Sequence, residues 1–109
     1  MYAYDQAHAL VKAIRELEEY KLLKKQREKI NADPALIKML TDFRRRQLDI
    51  QKLQMTGQKV PEETVKMFGH SHGAVMANPV LKEFFEAERR FGLRMNDIQK
   101  ILVDGLGLH

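Results

Sequence analysis

Twice in this chain an acidic or amide side chain stands directly before a proline, as Ala32-Asp33-Pro34 and as Ala77-Asn78-Pro79, and each time a long proline-free run follows. Aspartate and asparagine accept the free N–H groups of a first helical turn, and a proline just inside that turn loses no hydrogen bond. Helices are therefore predicted to start at Pro34 and at Pro79. The first reads PALIKMLTDFRRRQLDIQKLQM and meets no glycine before Gly57, a span of about 33 Å at ~1.5 Å per residue. The second reads PVLKEFFEAERRFGLRMNDIQKILVD toward Gly105, about 39 Å on the same basis. Two such rods leave a chain of 109 residues little room for anything but more helix.

The remaining segments agree. Ala7, Leu10, Ile14 and Leu17 lie on one helical stripe that slips phase to Tyr20, Leu23 and Ile30, which predicts a break near Glu18-Glu19. Pro61 opens a further segment with Glu62 and Glu63 in its positive first turn. The expectation is an all-α protein of four or five helices in one domain, residues 1–109, with helices near 5–17, 19–31, 34–55, 62–77 and 79–104. Two long antiparallel helices dominate this bundle. On the first, Leu36, Phe43 and Ile50 recur every seven residues with Met39 and Leu53 beside them; on the last, Phe84, Phe91 and Ile98 do so with Ala87 and Ile101. Leu40, Leu48 and Met55, and Leu81, Phe85, Met95 and Leu102, widen the apolar surface beyond a narrow seam. So much apolar side on so short a chain predicts that self-association completes the bundle, as a homodimer or a tetramer. The partner surface then falls to Leu36, Phe43, Ile50, Leu81, Phe84, Phe91, Met95, Ile98 and Leu102.

Composition narrows the function classes. With no cysteine, the chain itself offers no disulfide, thiolate metal site or iron-sulfur ligand, which suits a reducing compartment. No apolar run approaches the ~20 residues needed to cross a bilayer, and the N-terminus lacks the basic start and apolar core of a leader. A cytoplasmic protein without membrane insertion is expected.

The segment MFGHSHGAVMANP, Met67 to Pro79, is the one place that invites a catalytic or metal reading. On a helix, His70 and His72 point about 200° apart and cannot share an ion. Val65, Phe68, His72, Val75 and Met76 sit at helical spacing, which places His72 on the apolar stripe and His70 toward solvent, despite Gly69 and Gly73. Only a strand or loop would bring both imidazoles together, and His8 or His109 would then have to supply a third ligand. The carboxylates Glu83, Glu86, Glu88 and Asp97 lie among Arg89, Arg90 and Lys100, with Glu86 and Arg90 spaced as an i,i+4 ion pair. No glutamate is followed three residues later by histidine, the di-iron pattern of helix bundles, and nothing marks Ser71 as a nucleophile. No enzyme, no metal and no cofactor are expected.

Charge offers the alternative. Residues 1–60 carry 13 Lys/Arg against 8 Asp/Glu, whereas 61–109 carry 6 against 7. Lys21, Lys25 and Lys29 line one helix face at i, i+4 and i+8, and Arg44, Arg45 and Arg46 follow on the next helix. Together they could track phosphates, which keeps a small RNA- or DNA-binding module using residues 21–46 as the second reading. Against it, Asp42 and Glu28 interrupt the charge, and no aromatic side chains are interleaved to stack on bases.

Several ordered motifs carry a family resemblance. The run YDQAHALVKAIRELEEYKLLKKQREKINADP, then FRRRQLDIQKLQMTGQ, then NPVLKEFFEAERR with LRMNDIQKILVDGLGL resembles the YlbF/YmcA/YheA family of small bacterial helical regulators across nearly the whole chain. That resemblance implies an all-α, self-associating cytoplasmic adaptor or regulator with a protein partner. In Gram-positive bacteria it implies links to ribonuclease Y, RNA maturation, competence, sporulation and biofilm formation. Members of that ribonuclease-linked complex carry a cysteine-bearing tail tied to iron-sulfur clusters, so this chain resembles a tailless, cysteine-free member.

Overall fold

The structure, a computed structural model, describes residues 1–108. It consists of five helices, α1 (Tyr2–Arg15), α2 (Glu18–Asn31), α3 (Pro34–Met55), α4 (Glu62–Ala77) and α5 (Pro79–Leu106), with no strand among the described residues. Both long helices start on the expected caps. Asp33 Oδ1 accepts the Ala35 N–H at 3.0 Å, and Asn78 Oδ1 accepts those of Val80 and Leu81 at 3.0 and 3.2 Å.

Glycine ends both of them, though not everywhere at the expected residue. Gly57 takes φ +75°, which lets the Gln58 N–H reach the Leu53 carbonyl at 2.9 Å and close the last turn of α3. At the other terminus α5 continues through Gly105 to Leu106, and Gly107 at φ +69° turns the chain so that the Leu108 N–H bonds Val103 at 3.0 Å. The second available glycine, not the first, makes the cap, because a helix tolerates glycine in its last turn at modest cost. The break between α1 and α2 falls at Glu16-Leu17, slightly before the expected Glu18-Glu19. Glu18 and Glu19 thereby occupy the first turn of α2, where the helix dipole favours negative charge, instead of the last turn of α1, where it opposes it.

Burial follows two compact groups of residues, Met1–Arg27 with Phe84 onward, and Glu28–Glu83. In the first, Leu23, Phe84 and Ala87 are buried, and Tyr20 of α2 meets Phe91 of α5 with ring centroids 5.8 Å apart. Gln26 is buried as well, and its Oε1 has no hydrogen-bond partner among the described residues. In the second, Ile30, Leu36, Phe43, Val75 and Leu81 are buried, and α4 packs against α3. Phe43 stacks on Phe68 at 5.3 Å.

The inward face of α4 departs from the sequence expectation. Thr64, Phe68, Ser71 and Val75 turn inward, whereas Val65 and Met76 are exposed. His72 is exposed too, at the edge of the aromatic cluster, 6.0 Å from Phe43 and 6.3 Å from Phe68. Threonine and serine carry no hydrophobic signal, so the apolar pattern alone points the helix about a sixth of a turn away from its true buried face at ~100° per residue.

Candidate functional site

The apolar stripe of α5 is not covered evenly. Within the group formed by residues 1–27 and 84 onward, Phe84 and Ala87 are 2% and 1% exposed, and Phe91, Met95 and Ile98 are half-buried. One turn further Leu102 is 51% exposed, and Leu106 reaches 70%. These side chains share one face of an uninterrupted helix, so the stripe passes from core to open surface without changing chemistry. Helix α1 belongs to the same group and buries no residue at all. Its Leu10 and Ile14 are half-buried, while Tyr2, Tyr4 and Val11 are exposed.

The sequence-predicted partner residues thus divide. Leu36, Phe43, Leu81 and Phe84 are buried inside the chain. For Leu36 and Phe43 the neighbour is α4, packed against α3, which a heptad count cannot see. Ile50 is half-buried on α3, and Phe91, Met95, Ile98 and Leu102 form the part of the α5 stripe that remains partly or largely open.

Beside this stripe, α2 and α5 border a cavity of ≈ 670 Å³ whose rim mixes Leu22 and Leu93 with Glu19, Arg90 and Arg94. Arg94 Nε donates to Glu19 Oε1 at 3.0 Å, a contact between residues 75 apart in sequence. The Glu19 carboxyl is held below its usual range by a backbone N–H at the start of α2 and by the Arg94 hydrogen bond, and Arg94 is raised in turn. Glu86 is held low by Arg89, which it meets at 2.6 Å. The expected Glu86–Arg90 pair is present but longer, at 3.7 Å, so the i,i+3 partner takes the closer contact.

The basic residues stand on two helices, α2 and α3. Lys21, Lys25 and Lys29 are all exposed on α2, with Lys21 3.7 Å from Glu18. On α3, Arg44 and Arg45 are exposed, and Arg45 sits 3.6 Å from Asp42, while Arg46 turns inward and is half-buried. Three consecutive helical residues diverge by about 100° each, so the arginine triplet cannot form a single face.

The histidines also part company. His72 lies against the aromatic cluster, and His70 borders a separate cavity of ≈ 410 Å³ between α3 and α4, together with Arg46 and Ser71. Among the described residues no three His, Asp or Glu side chains gather as metal ligands, and His109 lies outside those residues. Sequence reasoning passed over the Arg46 cavity. Its signal was weak: an arginine on α3 facing a serine on α4, each explicable as surface.

The chain belongs to the YlbF/YmcA family, whose model, described as "Control of competence regulator ComK, YlbF/YmcA", matches residues 3–106. Among its relatives, a UPF0342 protein of Halothermothrix orenii is 39% identical over 106 residues, which is 97% of this chain and 90% of that protein. A UPF0342 protein of Alkalihalophilus pseudofirmus is likewise 39% identical, over 94% of this chain and 87% of the other. The fold matches a solved structure titled "Protein of Unknown Function (DUF964) from Bacillus stearothermophilus" with a TM-score of 0.80, covering 98% of this chain and 94% of that one at 21% identity. Among the described residues no helix is long and apolar enough to cross a membrane.

Proposed function

We propose that this protein is a non-enzymatic helical adaptor that self-associates as a homodimer and presents a surface to a protein partner in the cytoplasm. The observation that carries the reading is the α5 stripe, buried at Phe84 and Ala87 and open at Leu102 and Leu106. A second copy is the occupant that best suits it, because an identical stripe offers the same length and spacing of apolar side chains, and long helices in short chains pair readily about a two-fold axis. The exposed apolar residues of α1, from the same group, extend the surface such a copy would cover. The family description, with its link to control of a competence regulator, supports a regulatory role. Resemblance to the wider family extends that role to RNA processing and developmental control.

Sedimentation velocity at tens of micromolar tests the first half of the reading. The wild-type chain is expected at twice the monomer mass, and a Leu102→Glu, Leu106→Glu double variant at the monomer mass with its helix content retained. A wild-type monomer at those concentrations overturns it. The nucleic-acid alternative rests on Lys21, Lys25, Lys29, Arg44, Arg45 and Arg46, all of them exposed except Arg46. It is separated by salt: affinity for an RNA would fall steeply as salt rises, whereas an apolar helix interface responds little.

A further inference from the structure

Helix α3 carries a second apolar line, turned away from the face that packs on α4. Ile37, Leu48 and Met55 are 40%, 49% and 86% exposed. At ~100° per residue their directions agree to within about 20°, with Thr41, Arg44 and Gln51 standing between them along the same face. The line lies about a third of a turn round from Phe43, the ring that stacks on Phe68 of α4. It runs for about 27 Å at ~1.5 Å per residue.

Charge orders its flanks. On one side, about 60–100° round from the line, stand Lys52, Arg45 and Lys38, all exposed. On the other side, at about 40–100°, stand Gln51, Gln47 and Gln54, also exposed and uncharged. The two carboxylates of α3, Asp42 and Asp49, lie further round, beyond the cations. Arg45 is 3.6 Å from Asp42, yet its side chain remains 70% exposed. A helix laid along the line would therefore meet positive charge on one edge and neutral amides on the other.

We propose that this face of α3 docks an acidic amphipathic helix of a partner protein, with its apolar residues seated on Ile37, Leu48 and Met55 and its carboxylates beside Lys38, Arg45 and Lys52. The proposal deepens the adaptor reading by giving the chemistry of the protein partner, and it does not depend on self-association.

Three other occupants fit less well. A second copy of this face would set the same cations against these, and like charges opposed across an interface select against pairing. A nucleic-acid backbone would use the cations but has no apolar surface to offer Ile37, Leu48 and Met55, and the face holds no aromatic ring on which a base could stack. A bilayer takes up a broad apolar face, whereas this line is a single row interrupted by Thr41 and Gln51. A helix with apolar residues at seven-residue spacing matches Leu48 and Met55 directly.

The test titrates the ¹⁵N-labelled full chain, at matched ionic strength, with a helical peptide of about 20 residues that has leucine at its a and d positions and glutamate along one flank. The same peptide with lysine for glutamate, a single-stranded uridine RNA and phosphatidylglycerol vesicles are the comparison probes. The glutamate peptide is expected to bind saturably and to shift the backbone amides between Ile37 and Met55, and the lysine peptide to bind about tenfold more weakly or worse. Leu48→Glu should weaken the glutamate peptide about tenfold, chiefly through faster dissociation, with helix content retained. Met55→Glu, at the most exposed of the three positions, carries the same expectation should Leu48→Glu fail to fold. Arg45→Glu with Lys52→Glu should slow association of the glutamate peptide and make the lysine peptide the better ligand. No saturable binding of the glutamate peptide overturns the proposal, as does binding that these variants leave unchanged or that the lysine peptide equals. RNA or vesicles bound more tightly than the peptide, with that binding lost in the Arg45, Lys52 variant, overturn the protein partner. The variants leave Leu102 and Leu106 in place, so sedimentation of the same samples reads self-association separately, and either reading can fail while the other stands.

Discussion

Helices α3 and α5 carry the same kind of seven-residue apolar stripe, yet they end differently. On α3, Leu36, Met39, Leu40, Phe43, Ile50 and Leu53 all stay buried or half-buried, helped by α4 lying alongside. On α5 the stripe opens to solvent at Leu102 and Leu106. The difference does not come from composition, since both stripes are built of leucine, isoleucine, methionine and phenylalanine. It comes from where along each helix a neighbour lies, since on α3 too the flanking Leu48 and Met55 stay 49% and 86% exposed. A stripe is a request for a partner, and the α5 stripe goes unanswered over its last two turns within this chain.

The sharpest way to break that contrast is to cut the same kind of side chain from each stripe. Phe43→Ala removes a buried ring that stacks on Phe68, and should cost about 3–5 kcal/mol by chemical denaturation, with a loss that is the same at every protein concentration. Phe91→Ala, from a half-buried position on α5, should cost less at low concentration and shift the concentration dependence of the melting temperature. Equal, concentration-independent losses would erase the distinction between a closed stripe and an open one.

The helix that covers α3 offers the next effect. Gly69 and Gly73 take ordinary helical φ, and a Cβ at either would meet nothing within 4 Å. Replacing both with alanine should therefore stabilise the chain by about 1–2 kcal/mol in denaturant titration. A loss instead would mean that the glycine face of α4 is closely approached in the assembled protein.

Smaller again is the comparison of the two caps. Asn78 accepts two backbone N–H groups and is partly buried, whereas Asp33 accepts one and is exposed. Asn78→Ala should cost about 1 kcal/mol and Asp33→Ala about half as much, read by the same titration. The smallest effect concerns acid. Glu19 and Glu86 are held below their usual carboxylate range in the folded chain, so the stability they add is present above the unfolded-state value and is lost as pH falls through the folded one. Glu19→Gln should flatten the acid limb of the melting-temperature profile slightly and leave the neutral region almost unchanged, because the pair is largely solvent-screened.

How much was legible in the sequence follows from the range of each interaction. The starts of α3 and α5 were readable because a cap involves residues two or three apart, as Asp33 with Ala35 and Asn78 with Leu81 show. The buried face of α4 was not, because Thr64 and Ser71 turn inward only where α3 lies against them. The Arg46 cavity escaped for the same reason: a charged residue in a basic triplet reads as surface until a second helix removes its Nε from water.

The sequence by itself determined the helical class, the N-terminal caps of the two long helices and the period of the apolar stripes, since hydrogen bonding within a turn and spacing along a helix are local properties. Tertiary structure decided that Leu81 and Phe84 are core and that Leu102 and Leu106 stay open. Burial is a relation between elements far apart in the chain. A stripe of leucines states what a helix needs, and only the placement of the other helices settles where within the chain that need is met.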